Sequence, residues 1–298
     1  MGRARTTRVP RFLLDIVNNS LFGGFLRAKN NFAMCTQKTG CIKKMRERFD
    51  EEYPKWEPFD ERKPLLKDAI KPPETQKMIS IIEGHCPLTQ GKLNELGLGS
   101  IDEWEMEVQR EIADYVANQS TLPPDFEPCW ENDPLLRIFV KIHVWGGPTG
   151  RSVFVKDGGL KWPVVRSHYK RLVDVCLNPQ SSQDEILEAG IIFDFRVDYV
   201  GVSFITKHIH FWTQAKRGGN ALPIFDRIMA EGFGLTHSWR HVDCYWEGMQ
   251  QVFDARLGTP WPTDMDSFER QLFKHFKNHP VNQKETNNKL KHNEKNKH

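Results

Sequence analysis

Apolar residues recur at three- and four-residue steps through most of the second half of the chain, a spacing that predicts helices. The run 133–145, DPLLRIFVKIHVW, is apolar on nearly every side, as a helix buried in a core must be. Pro134 suits its first turn, and Gly146-Gly147-Pro148 stops it. Further helices are expected over 100–118, 163–177, 181–189, 206–215, 226–232, 237–255 and 264–278. Ser100, and Ser181 or Ser182, are candidate N-caps, with acidic residues in the turns that follow. Only 152–155, SVFV, reads as a short strand. Residues 49–76 hold Tyr53, Trp56 and five prolines and read as a connector or irregular cap. No repeat period is visible.

This pattern implies a mostly α protein in four parts. A basic N-terminal arm covers 1–48, an accessory helical and irregular region 49–129, a compact helical core 130–279 and a disordered Asn/Lys-rich tail 280–298. With 39% hydrophobic and 11% aromatic residues in 298, the chain can bury a sizeable core, which excludes wholesale disorder. Its net charge of +3 conceals an asymmetry: the first 48 residues carry eleven Lys/Arg against two acids. That segment reads either as a solvated arm or as a DNA-contacting one.

The six cysteines, at 35, 41, 86, 129, 176 and 244, include no C-x-x-C pair. A zinc ribbon and a local iron–sulfur loop are excluded on that ground. Scattered cysteines without a signal peptide point to reduced thiols in a bacterial-type cytosol or on the nucleoid. The N-terminal stretch 11–26 is interrupted by Asp15 and Asn18-Asn19 and reads as neither signal nor anchor. No apolar run approaches the ~20 residues that span a bilayer, so no membrane is expected as a partner.

The chemistry concentrates in 199–233, YVGVSFITKHIHFWTQAKRGGNALPIFDRIMAEGF. A Gly-containing turn, Val200-Gly201-Val202-Ser203, precedes a helix; its free backbone N–H groups and the helix dipole suit a phosphate. Lys207 is expected in the first turn of that helix, where the dipole and burial both disfavour its ammonium form. A neutral amine can attack a sugar C1′ and form a Schiff base. The basic loop Lys216-Arg217-Gly218-Gly219-Asn220 offers further phosphate contacts. Asp226 follows Pro223 and can cap the next helix while supporting an oxocarbenium-like centre across a cleft from Lys207.

This order of turn, lysine, basic loop, proline and aspartate resembles the helix-hairpin-helix DNA glycosylase superfamily, most closely its 8-oxoguanine DNA glycosylase-like branch. The resemblance is strong over 199–233 and extends as a pattern over about 130–279, including Trp145-Gly146-Gly147 and the helix of Tyr169. It implies a helix-hairpin-helix helical core with Lys207 and Asp226 as the catalytic pair. It also implies duplex DNA as partner, no metal or organic cofactor, and strand cleavage by β-elimination through the lysine Schiff base. The sequence departs from the pattern in the hairpin, where Ser203 takes the place of the second glycine. The implied substrate is an oxidised purine; a bulky modified base of viral DNA, making the chain an antiviral defence enzyme, is the minority expectation. A non-catalytic DNA-binding protein on the same scaffold is the alternative.

An extruded base needs a flat partner to stack on, and Trp145, His208 and Trp212 are the candidates for that pocket. Trp239, Trp246 and Phe268, Phe273 and Phe276 fall at helical spacing and read as core. His237 and His241 stand four apart, but no third ligand follows at suitable spacing, so they read as a packed or surface pair.

Overall fold

The computed structural model describes residues 25–52, 101–118, 132–146, 152–155, 160–217, 221–255 and 264–280. They form ten α-helices and one 3-10 turn, with no strand among the described residues. In chain order the helices are α1 (Phe25–Glu52), α2 (Ile101–Asn118), α3 (Pro134–Trp145), α4 (Ser152–Val155), α5 (Trp162–Leu177), α6 (Gln183–Arg196), α7 (Gly201–Arg217), α8 (Arg227–Gly232), α9 (Val242–Asp254) and α10 (Met265–Asn278). The 3-10 turn Trp239–His241 leads into α9. The protein is mostly helical, as its periodicity predicts.

The centre is α3, nine of whose twelve residues are buried, so other helices must cover it on several sides. Asp133 caps it, accepting the Leu135 N–H at 3.1 Å through Oδ1. The other oxygen, Oδ2, accepts Trp162 Nε1 and Arg166 Nε, each at 2.7 Å. Three donors, one of them a guanidinium, satisfy a carboxylate that is fully buried, and they join α3 to α5. Behind this joint Phe139 packs on Trp162, Tyr169, Phe193 and the ring of His208.

Helix α2 buries Trp104, Val108, Ile112 and Tyr115, a single stripe at steps of three and four. Beside that stripe its acids meet cations of the core. Glu107 and Glu111 hold the buried ammonium of Lys141 at 2.6 and 2.5 Å. Glu105 pairs with Arg270 of α10. The accessory helix is thus bonded into the core by charge as well as packing.

The expected domain boundary at 48 falls inside α1. This helix packs on α9, with Met45 and Phe49 buried and Met45 seated against Gly248, where a Cβ would meet its sulfur at 2.6 Å. Lys38 bridges Asp243 and Glu247 at 2.9 and 2.7 Å. Lys44 donates to the Gly234 carbonyl, and Arg48 Nε donates to the Gly232 carbonyl at 3.3 Å. These cations, read from sequence as part of an arm, are spent on the core. Cys41 and Cys244 form a disulfide between the two helices, which corrects the expectation of reduced thiols for that pair; Cys176 is buried and outside any disulfide. The rest of the arm, residues 1–24, and the tail beyond Pro280 lie outside the described residues.

Two local expectations are also corrected. SVFV is a helical turn: Phe154 packs edge-on against Phe139 and His143, and no strand among the described residues stands beside it to take its backbone bonds. Helix α6 does not stop at Ala189 but runs through Gly190 to Arg196. A Cβ at Gly190 would lie 3.1–3.3 Å from Ile209, Trp239 and Ile205, so this glycine serves close packing and does not end the helix.

Candidate functional site

The site is built where α7 meets the segment 221–226. Ahead of α7, Tyr199 and Gly201 adopt left-handed backbone, with φ of 68° and 71°. A side chain in that region is strained, so Gly201 is the cheap residue and Tyr199 the costly one. The Gly201 N–H donates to Asp194 Oδ1 at 3.0 Å, and Trp239 Nε1 donates to Asp194 Oδ2 at 2.6 Å. Burial raises the Asp194 carboxyl above its ordinary range, against the pull of those two donors. One of the N–H groups expected to greet a phosphate is therefore already bonded within the protein.

The hairpin is also shorter than expected. Val202 and Ser203 are already helical, and Val200 and Val202 are buried. Since α7 starts at Gly201, Lys207 lies in its second turn, not its first. Its side chain is 8% exposed. Nζ donates to the Ser203 carbonyl at 3.3 Å and sits 4.9 Å from the centroid of Phe204. Gly146 makes this possible: a Cβ there would overlap the Phe204 ring at 2.3 Å and approach Lys207 Cδ at 3.2 Å. Burial pulls the Lys207 ammonium below its ordinary value, while the charges of Asp226 and Glu269 pull the other way and lose.

Asp226 caps α8, accepting the Met229 N–H at 2.9 Å through Oδ1. Its charge reaches Lys207, though Nζ spends its own hydrogen bond on Ser203. The segment leading to Asp226 has no regular structure, yet side chains from three helices hold its backbone. From α7, Thr213 Oγ1 accepts the Leu222 N–H at 3.1 Å, His210 Nδ1 meets the Leu222 carbonyl at 3.0 Å, and Thr206 Oγ1 accepts the Phe225 N–H at 3.1 Å. From α9, Trp246 Nε1 donates to the Pro223 carbonyl at 2.8 Å and Tyr245 Oη to the Ile224 carbonyl at 3.0 Å. From α10, Glu269 Oε1 accepts the Ile224 N–H at 2.6 Å. Buried backbone groups need such partners, and here they also fix where Asp226 sits.

Two titrating groups in this cradle are displaced in opposite ways. Burial lifts Glu269 to about 8, against the pull of His210. Burial draws His210 down, but its bond to Asp266 and the nearby carboxyls outweigh that and raise it. Asp266, bonded to His210 and Arg270, is held far below the carboxylate range although burial opposes this.

Of the expected base-pocket residues, two belong to the core. Trp212 is fully buried, and its Nε1 donates to Tyr169 Oη at 2.8 Å. His208 is also fully buried; its Nδ1 meets the same hydroxyl at 2.9 Å, and its ring stacks on Phe139. Neither can stack an extruded base without unmaking the core. Trp145 differs: it is half-buried at the end of α3, edge-on to Phe211, with Nε1 covered and unbonded in the protein. Lys216 is exposed at the end of α7; the side chain of Arg217 and residues 218–220 lie outside the described residues.

From sequence, His237 reads as one of a packed or surface pair, and Phe195 and Tyr199 carry no assigned role. His237 lies within the electrostatic reach of both Lys207 and Asp226. Phe195 and Tyr199, at the α6–α7 turn, are 53% and 41% exposed. Among the described residues no group of three His, Cys, Asp or Glu is placed to hold a metal, and no helix is long and apolar enough to cross a membrane. Compared with known proteins, the chain matches no family model, no curated protein and no solved structure.

Proposed function

We propose that this chain is a DNA glycosylase of the helix-hairpin-helix kind, acting on a base flipped out of duplex DNA. The observation that carries the reading is the buried lysine with a lowered pKa within electrostatic reach of an aspartate that is fixed by a helix cap. Lysines spend their charge in water unless a site is built to suppress it, and such displaced groups concentrate at active sites. Lys207 would attack C1′ as the free amine, and Asp226 would support the positive charge that develops there. The Schiff base that follows permits β-elimination, so abasic-site lyase activity is part of the proposal.

The substrate class is an oxidised purine, or a bulky modified base of viral DNA in a defence role. Incubation with duplexes carrying each base, followed by borohydride reduction and mass analysis of the released base, tests the reading. A covalent adduct with wild type and none with Lys207→Gln is the expected result. DNA binding unchanged by Lys207→Ala, with no adduct from wild type, would favour a non-catalytic DNA-binding protein instead.

A further inference from the structure

The ring of His210, on α7, lies between two oxygens that come from different parts of the chain. Nδ1 meets the Leu222 carbonyl at 3.0 Å. Nε2 meets Asp266 Oδ1, in the first turn of α10, at 3.4 Å. A carbonyl can only accept, so Nδ1 carries a proton. Asp266 is kept ionised by Arg270, whose Nε and Nη2 each lie 3.1 Å from its other oxygen, Oδ2. An ionised carboxylate can only accept as well, so Nε2 also carries a proton. The residue is 3% exposed, and neither nitrogen can turn to bulk water instead. A neutral ring, in either tautomer, would set a lone pair against an oxygen.

The charged groups around this ring are Asp266, Glu269 and Arg270 from α10 and Glu105 from α2. Arg270 divides its charge between Asp266 and Glu105. Burial favours the neutral ring, but the contact with Asp266 and the charges of Glu269 and Asp266 outweigh it. The other α7 side chains that hold the segment, Thr206 and Thr213, do so with hydroxyls that do not titrate.

We infer that His210 is a positioning residue whose imidazolium form holds the 222–225 segment, and through it the place of Asp226. The link to catalysis rests on the role proposed above for Asp226; the state of the ring does not. Once neutral, the ring can bond one oxygen or the other, but not both. The anionic Asp266 is the stronger acceptor and keeps the proton, so the Leu222 carbonyl is released. Four residues further along stands Asp226, the cap of α8. The folded chain binds this proton more tightly than the unfolded one does. Its stabilising effect is therefore complete below ~6.5, the ordinary histidine value, and fades as pH rises through the higher folded value. Glu269 acts the other way, because on ionising it becomes a stronger acceptor for the Ile224 N–H.

The test reads the ring and the segment separately, on the full chain. Long-range proton–nitrogen NMR reports both ring nitrogens, and His210→Gln assigns the signal. At pH 7 the signal lost in the variant should show two protonated nitrogens; one bare nitrogen there overturns the inference. Hydrogen exchange at the Leu222, Ile224 and Phe225 amides, referred to buried amides of α3, is then followed from pH 6 to 10. Their relative protection in wild type should fall about tenfold as the ring becomes neutral, the fold-change of one hydrogen bond. Gln keeps an N–H donor that does not titrate, so the fall should vanish in His210→Gln. Flat protection in wild type, or the same fall in the variant, overturns the inference. Should the variant not fold, wild type decides alone: the ring and the three amides must change over the same pH range, and separate ranges overturn the inference. Trapping on an abasic duplex should lose rate on the alkaline side over that range in wild type and not in His210→Gln. A trapping enzyme with no alkaline loss overturns the link to Asp226. If wild type traps nothing at any pH, the lysine reading falls, while the ring and exchange measurements still decide whether His210 holds the segment.

Discussion

Thr206 and Phe225 are joined by a hydrogen bond of 3.1 Å, from the Phe225 N–H to Thr206 Oγ1. Each is the chain neighbour of a proposed catalytic residue, Lys207 and Asp226 respectively. The bond thus sets the register between the helix that carries the amine and the segment that carries the carboxylate. Thr206→Val keeps the shape but strands a buried N–H, which should cost about 1–3 kcal/mol in denaturant unfolding. Borohydride trapping should fall further than duplex affinity, because the two reacting groups lose their mutual placement. Equal losses in both would mean that the bond serves stability alone.

Gly146 gives the second expectation. Its backbone φ of −68° is ordinary, so the requirement is for space and not for conformation. Gly146→Ala would drive a methyl into the Phe204 ring and onto the stem of Lys207. Overpacking of this kind costs roughly 1–3 kcal/mol. Displacement of Phe204 should also disturb its stack on His143, 4.7 Å between centroids. Thermal unfolding and trapping rate should both drop, and a fully active Ala variant would contradict the described packing.

The third concerns the sign of the Lys207 contribution. The folded state lowers its pKa, so between the folded and unfolded values the unfolded chain binds more protons. Stability therefore rises with pH across that window, and below it the buried ammonium is a liability. Lys207→Met should be more stable than wild type at pH 7, with the difference shrinking as pH approaches ~10.4, the ordinary lysine value. Urea midpoints at several pH values check this. A Met variant less stable than wild type at neutral pH would show that the ammonium is well solvated.

The fourth concerns α1. The Cys41–Cys244 disulfide closes a very long loop, and the loss of a native disulfide typically costs about 2–5 kcal/mol. Cys41→Ser should lower the unfolding midpoint by an amount that dithiothreitol reproduces in wild type and does not add to in the variant. Met45, Phe49 and the Lys38 bridges should keep the helix docked at ordinary temperature. Proteolysis within 25–52 at unchanged global stability would show that the docking depends on the bond.

Several elements were legible because local signals agree with the fold. Asp133-Pro134, Ser182 with Glu185, Asp226 and Asp264 announce helix starts, and each makes its capping bond. The start of α7 was misplaced because a turn residue, Gly201, doubles as the first helical residue. Helix α1 was obscured by its charge: nothing local says that Lys38, Lys44 and Arg48 find partners on α8, α9 and the turn between them. Trp212 and His208 were misjudged for a related reason. Helical spacing says that an aromatic is buried but not whether it faces a cleft or the Tyr169 hydroxyl.

Reductive trapping on a lesion-bearing duplex, followed by peptide mass mapping of the adduct, tests the central claim most directly. The account predicts that wild type forms one covalent adduct, that the modified peptide carries it at Lys207, and that Lys207→Gln binds the same duplex without forming any. An adduct at another lysine, or one that persists in Lys207→Gln, would contradict it.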